Sequence, residues 1–263
     1  MARYVFQDAF ERFIKALDDA LLLDAEAGRV NYRKAKQRGS AGGNLNVESR
    51  AMYRAIAVIA VAAWEDFNEQ LVCAGHEYLM RTAARPVPAE LGQWFPAAKL
   101  QAPSSANVRK LYWAYFGLDP MPSWWFSFAA RAREIGIDAD WWVAFNDQAH
   151  LEERTRRGPD AAKWLDSLVR LRHATAHQDR KHFRQAPEIG VATHNRGKWG
   201  VTRYTGQNAI AVITQLALCT VQALSQHLSC PGQLSYLSPR RSWRLAGSPL
   251  NDLPQWPSST GAS

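Results

Sequence analysis

This chain is poor in the residues that would staple or anchor it. It has only three cysteines, Cys73, Cys219 and Cys230, an odd and widely separated set whose first two members lie in apolar helical patterns. Such spacing offers neither a disulfide framework nor a zinc knuckle. A reducing, intracellular compartment is therefore expected, the cytoplasm in the simplest case. Long hydrophobic runs are also missing. The longest, Ala55 to Trp64, is ten residues, against the ~20 that cross a bilayer. Met1 to Asp8 lacks the apolar core of a signal peptide, so no membrane association is expected. No internal repeat is visible, and Gly39, Gly42 and Gly43 lack the spacing of a phosphate-cradling loop. Nothing in the chain calls for a cofactor.

Acidic charge is scarce in one half only. The net charge is +8, from 32 basic and 24 acidic residues. Residues 1–150 hold equal numbers of each, so the whole surplus falls in residues 151–263. A one-sided basic surplus favours a polyanionic partner, nucleic acid first, over a merely solubilising surface.

The length permits one large domain or two small ones, and the patterning favours one domain plus a tail. Phe6, Phe10, Phe13, Ile14, Leu17 and Leu21 form an amphipathic stripe, the mark of a first helix. Periodicity then fails over residues 29–45, where Arg29, Arg33, Lys34, Lys36 and Arg38 precede a glycine cluster, a pattern read as a mobile basic loop. Asn46 or Glu48 opens a second helix, apolar on nearly all sides from Ala55 to Trp64 and so expected at the centre. Pro86, Pro88 and Pro96 mark an irregular connection, and Ser104 or Ser105 caps a short helix through Tyr115. Pro120 and Pro122 break the pattern again. Gly158-Pro159-Asp160 starts another helix. Residues 189–201 alternate weakly around His194-Asn195-Arg196-Gly197, as in a small hairpin. Thr205 is placed as the cap of a final helix through Leu228. Beyond Pro231 the Ser- and Pro-rich sequence has no usable period.

The most informative stretch is Arg172-His173-Ala174-Thr175-Ala176-His177. Trp164, Leu165, Leu168 and Val169 recur along one helix face, and stepping onward by four reaches Arg172, His173 and Ala176. On that reading the polar pair faces inward or into a cleft, where a guanidinium needs an anion. Glu65 is the strongest candidate carboxylate, because it interrupts the apolar face of the central helix; against this stands ordinary solvation beside Asp66 and Glu69.

This hexapeptide resembles the R-x4-6-H signature of HEPN-domain proteins. The Ala51 to Thr82 helix, with Ala63-Trp64-Glu65-Asp66-Phe67, looks like the earlier family helix that carries an acidic residue facing the motif. The stretches Asn107 to Leu111, Phe116 to Leu118 and Trp124-Trp125 look like the connecting segment of a prokaryotic branch. Most of residues 46–228 take part. The resemblance implies an all-α HEPN-like bundle over residues 1–229, to which the alternation at 189–201 adds a candidate small hairpin insertion and the composition adds a flexible tail over 230–263. It implies a metal-independent ribonuclease acting as a toxin or defence effector, or else an inactive module that binds RNA, nucleotide or a partner protein such as an antitoxin. It further implies a motif helix that ends or bends near the histidine, and a homodimer in which two motifs share one cleft.

The residue chemistry fits that expectation. RNA carries its own nucleophile, the 2′-hydroxyl, so the protein must supply proton transfer and charge stabilisation. His177 is the candidate for the first, since an imidazole titrates near neutrality, and Arg172 for the second, since it can grip two phosphate oxygens. His173 either takes part in catalysis, or orients RNA or its own helix, or packs. On an ideal helix positions 172 and 177 lie about 140° apart, whereas 173 and 177 share a face. A metal held by the two histidines lacks a clear third ligand, and a purely structural arginine with an incidental histidine is the other alternative. Ser167 and Thr175 have no Asp-His pair to make them nucleophiles. Arg154, Arg156, Arg157, Lys163, Arg180, Lys181 and Arg184 flank the motif and suit an RNA backbone or a solvated rim equally. Trp124-Trp125 and Trp141-Trp142 suit core packing better than base stacking, because no basic residue adjoins either pair.

Overall fold

The computed structural model describes residues 4–37, 47–82, 100, 102–127, 155–157, 159–186, 191–194, 198–232 and 234. The glycine cluster, the proline-marked connection, Trp141-Trp142, Arg154, Gly158, the hairpin tip and residues 235–263 lie outside these. Helices dominate: α1 (Gln7–Gln37), α2 (Val47–Thr82), α3 (Ser105–Phe116), α4 (Pro159–His177), α5 (Arg180–Arg184) and α6 (Arg203–His227). Two antiparallel pairs accompany them, β1 (Trp125–Ser127) with β2 (Thr155–Arg157), and β3 (Val191–His194) with β4 (Lys198–Val201). The second pair is the expected hairpin, in register Val191 to Val201. The first was not legible, since its strands are short and far apart in sequence.

The expectation for residues 29–45 is corrected over 29–37, and residues 38–45 lie outside the described residues. Helix α1 continues to Gln37, because loss of apolar periodicity reports loss of burial, not loss of helix. Arg, Lys, Ala and Gln are all good helix formers. Arg29 and Arg33 pair with Glu26 at 3.1 and 2.8 Å, and Lys34 reaches Glu48 on α2 at 2.6 Å. The cap of α6 is corrected as well. Thr202 is the N-cap, and Thr205 stands three residues on, where its hydroxyl accepts the Thr202 N–H at 2.9 Å.

Helix α2 is central. It packs on α1, α3, α4 and α6 and buries Tyr53, Ile56, Ala60, Val61, Trp64, Phe67 and Leu71. Among its buried polar groups, Asn68 is bonded twice. Tyr112 Oη donates to Asn68 Oδ1 at 3.0 Å, and Asn68 Nδ2 to the Trp64 carbonyl at 2.7 Å. Trp124 is fully buried against Trp64 and donates to Thr220 Oγ1 at 3.0 Å, a core role. Helix α6 carries a 20-residue stretch, Asn208–His227, apolar enough to cross a membrane by length and hydropathy, and it is mostly buried in this bundle. The packed region runs past the boundary drawn at 230, since Leu234 is only 3% exposed.

Candidate active site

Helix α4 carries the motif and is fixed at mid-length. Asp166 accepts both the backbone N–H and the hydroxyl of Ser105, at 2.8 Å each, which ties α4 to the first turn of α3. The buried face of α4 is Ala161, Trp164, Leu165, Leu168, Leu171 and Ala174, and this corrects the sequence stripe. Each step of four residues turns past a full circle by about 40°, so a stripe drawn in fours drifts around the helix. The real face recovers by a step of three, onto Leu171 and Ala174. Arg172 therefore sits half-buried at the margin of the face, and His173 and Ala176 are exposed.

At that margin Arg172 meets its carboxylate. Nη1 lies 3.0 Å from Glu65 Oε2, with the two side chains 35% and 22% exposed. The neighbouring acids of α2 are engaged differently. Asp66 accepts from Gln70 at 3.5 Å and faces Arg12 at 4.0 Å, while Glu69 accepts the Leu100 N–H at 2.9 Å. Solvation beside Asp66 and Glu69 thus does not describe Glu65. Burial holds its carboxyl above the ordinary value; the Arg172 charge opposes that, Glu69 adds to it, and the Arg172 hydrogen bond lowers it further.

The helix stays regular through His177 and then stops. Gln178 adopts a left-handed φ of 53°, and the Asp179 N–H closes back onto the Ala174 carbonyl at 3.1 Å, a Schellman-type end. His173 and His177 share the exposed face with ring centroids 4.4 Å apart. The site is thus two pairs, Glu65 with Arg172 and His173 with His177, and no described hydrogen bond or ring contact joins one pair to the other.

The reversal after Gln178 adds a residue that the sequence reading missed. His182 on α5 brings its ring to 4.6 Å from that of His173. Its Nδ1 lies 2.6 Å from Asp179 Oδ2, and Asp179 Oδ1 accepts the Lys181 N–H at 2.8 Å. That backbone bond first, and the His182 bond second, hold the Asp179 carboxyl below its ordinary range. The signal was the D-x-x-H spacing directly behind a helix stop, where an N-cap and its third residue meet. Among the described residues no group of three His, Cys, Asp or Glu is arranged to hold a metal ion.

Lys181 and Arg184 are exposed on α5. The Arg180 backbone opens α5, and Arg156 and Arg157 lie on β2 opposite Phe126 and Trp125; the side chains of all three, and all of Arg154, fall outside the described set. Lys163 pairs with Asp160 at 3.3 Å. Two further arginines, not singled out from sequence, brace α5: Arg170 donates to the Gln185 carbonyl at 3.1 Å, and the Arg54 guanidinium of α2 sits 5.6 Å over the Phe183 ring. Ser167 is buried and Thr175 partly so. Compared with protein-family models, curated proteins and solved structures, the chain matches none.

Proposed function

We propose that this protein is a metal-independent endoribonuclease of HEPN type, cutting single-stranded RNA by attack of the 2′-hydroxyl on its own phosphate. The observation that carries this reading is the Glu65–Arg172 pair at 3.0 Å, set on the same last turns of α4 as the exposed His173 and His177 rings. A preoriented guanidinium stabilises charge as it develops on phosphorus without reorganising at that moment. An imidazole at the helix end is free to exchange protons with solvent and substrate. The cellular setting that goes with it is a cytoplasmic toxin or antiphage effector, working as a homodimer and restrained by an antitoxin or similar partner.

A second reading is a silent module of the same fold that binds RNA, nucleotide or protein. It is favoured by Arg172 already having its charge answered by Glu65. Labelled RNA incubated with the protein in EDTA separates the two. The ribonuclease gives 2′,3′-cyclic phosphate and 5′-hydroxyl ends and leaves DNA of the same sequence intact, because DNA lacks the attacking group. His177→Ala should keep RNA affinity and lose at least ~10²-fold in cleavage. A strict metal requirement, or 5′-phosphate ends from water attack, would refute the transesterification reading.

A further inference from the structure

We propose that His182, held by Asp179, is a second proton-transfer residue of this site and acts as its general base, with His177 as the acid. The inference rests on the ribonuclease reading and adds to it a complete acid–base pair within one chain. His182 donates from Nδ1 to Asp179 Oδ2 over 2.6 Å, so its Nε2 is the atom left to exchange a proton. A carboxylate in that position fixes the tautomer and stabilises the imidazolium that forms when the ring takes a proton. Asp179 is suited to the task because its own place is fixed twice, by the Schellman-type closure onto Ala174 and by the bond it accepts from the Lys181 N–H. The rings of His177 and His182 each lie close to that of His173, at 4.4 and 4.6 Å, which brings a base and an acid to one cluster of three imidazoles. Both His182 and Asp179 are about one-third exposed, at 31% and 36%, open enough for a polymer to reach.

The step balances within the chain. The 2′-hydroxyl gives its proton to His182 Nε2 as the O2′–P bond forms. The P–O5′ bond breaks, and protonated His177 gives its proton to O5′. The products are a 2′,3′-cyclic phosphate and a 5′-hydroxyl, and exchange with water resets both rings. The charged or titratable groups on α5 and on the elements packed against it are Asp179 at the N-cap, Arg170, His173 and His177 on α4, Arg54 on α2, Lys181 and Arg184 on its own helix, and Lys198 in the sequence of β4.

Single-turnover cleavage by the full chain tests this with two RNAs, one ordinary and one bearing sulfur in place of the bridging O5′, a leaving group that needs no proton. On ordinary RNA, His182→Ala and His182→Gln should each fall at least ~10²-fold, with unchanged melting and unchanged affinity for a 2′-O-methyl RNA. Added imidazole should restore His182→Ala in part. On the sulfur RNA, His177→Ala should recover and His182→Ala should not. Asp179→Asn should shift the ascending limb of the pH profile to lower pH, because loss of the carboxylate makes His182 a weaker base. Wild-type cleavage matched by both His182 variants would overturn the role of His182 alone. Recovery of His182→Ala on the sulfur RNA would overturn its assignment as base. A wild-type protein that cuts neither RNA would bring down the ribonuclease reading and this inference with it.

Discussion

At the residue scale the decisive contact is the one between Arg172 and Glu65, and its energetics are testable without any substrate. Removing one partner of a fully buried pair costs ~3–5 kcal/mol, but exposed pairs contribute ~0.2–1 kcal/mol. With side chains 35% and 22% exposed, Arg172→Ala should cost about 1–2 kcal/mol, between those limits. His177→Ala, on an exposed ring, should melt close to wild type, and Glu65→Gln should return part of the loss in the double variant. The pH dependence has a definite sign. The Glu65 carboxyl is raised above 4.5 by burial, against the pull of Arg172. Its contribution to stability is therefore present below 4.5 and lost as pH rises through the raised value. Taking away Arg172 removes the opposing pull, so the raise grows and the loss towards neutrality deepens. Melting curves across the acid-to-neutral range should fall more steeply for Arg172→Ala than for wild type. Parallel curves with equal midpoints would show that the pair contributes nothing.

Among the elements, what was legible and what was not divides along a physical line. Signals written by neighbouring residues came through: Ser104 as a cap accepting the Asn107 N–H, and Pro159 in the first turn of α4. Glu65 was singled out as a break in an apolar face, and Arg172 meets it. Features that depend on tertiary structure did not come through. The inward-facing stripe failed by its drift, the helical residues 29–37 were hidden because they are not buried, and His182 needed the chain reversal at Gln178. That reversal yields a prediction. A non-glycine residue in left-handed conformation costs roughly 1 kcal/mol, so Gln178→Gly should raise the melting temperature by about 2–4 °C. No gain would mean that the Gln178 side chain makes up the strain. Helix α6 gives a contrasting case. A methyl at Gly206 would meet Tyr53 Cδ1 at 2.9 Å and two Ile56 carbons at 3.2 Å, all in side chains that are essentially inaccessible. The ~1 kcal/mol helix gain is then outweighed by overpacking of ~1–3 kcal/mol, and Gly206→Ala should destabilise. At Gly75 the nearest atom is the tip of the half-buried Phe116 ring, at 2.9 Å, which can give way, with buried Leu224 Cδ2 next at 3.3 Å, so Gly75→Ala should cost less than Gly206→Ala. Thermal melts of the two variants decide it, and a neutral Gly206→Ala would mean that α2 and α6 can move apart.

For the whole molecule the question is how a chain with a basic half brings two copies of its motif together, as the proposed homodimer requires. The surplus of eight positive charges falls in residues 151–263, the same part that carries α4 and α5. Two such faces repel. The Glu65–Arg172 pair lowers that repulsion by setting one carboxylate against one guanidinium in each copy, but Lys181 and Arg184 remain exposed on α5. Between exposed charges the repulsion is screened over ~10 Å at 0.1 M salt and ~3 Å at 1 M. Dimer formation should therefore strengthen with salt. Binding to RNA should weaken with salt, since it depends on releasing counterions from the phosphates. Cleavage that needs both should peak at intermediate ionic strength. Light scattering, RNA-binding and cleavage measurements over one salt series test all three trends on the same material. RNA bridging two copies should also raise the dimer fraction at low salt, because a polyanion does locally what bulk salt does everywhere. A chain that remains a monomer at every salt concentration and still cuts RNA would refute the shared cleft. It would leave His177 and His182 in one chain as the acid and the base.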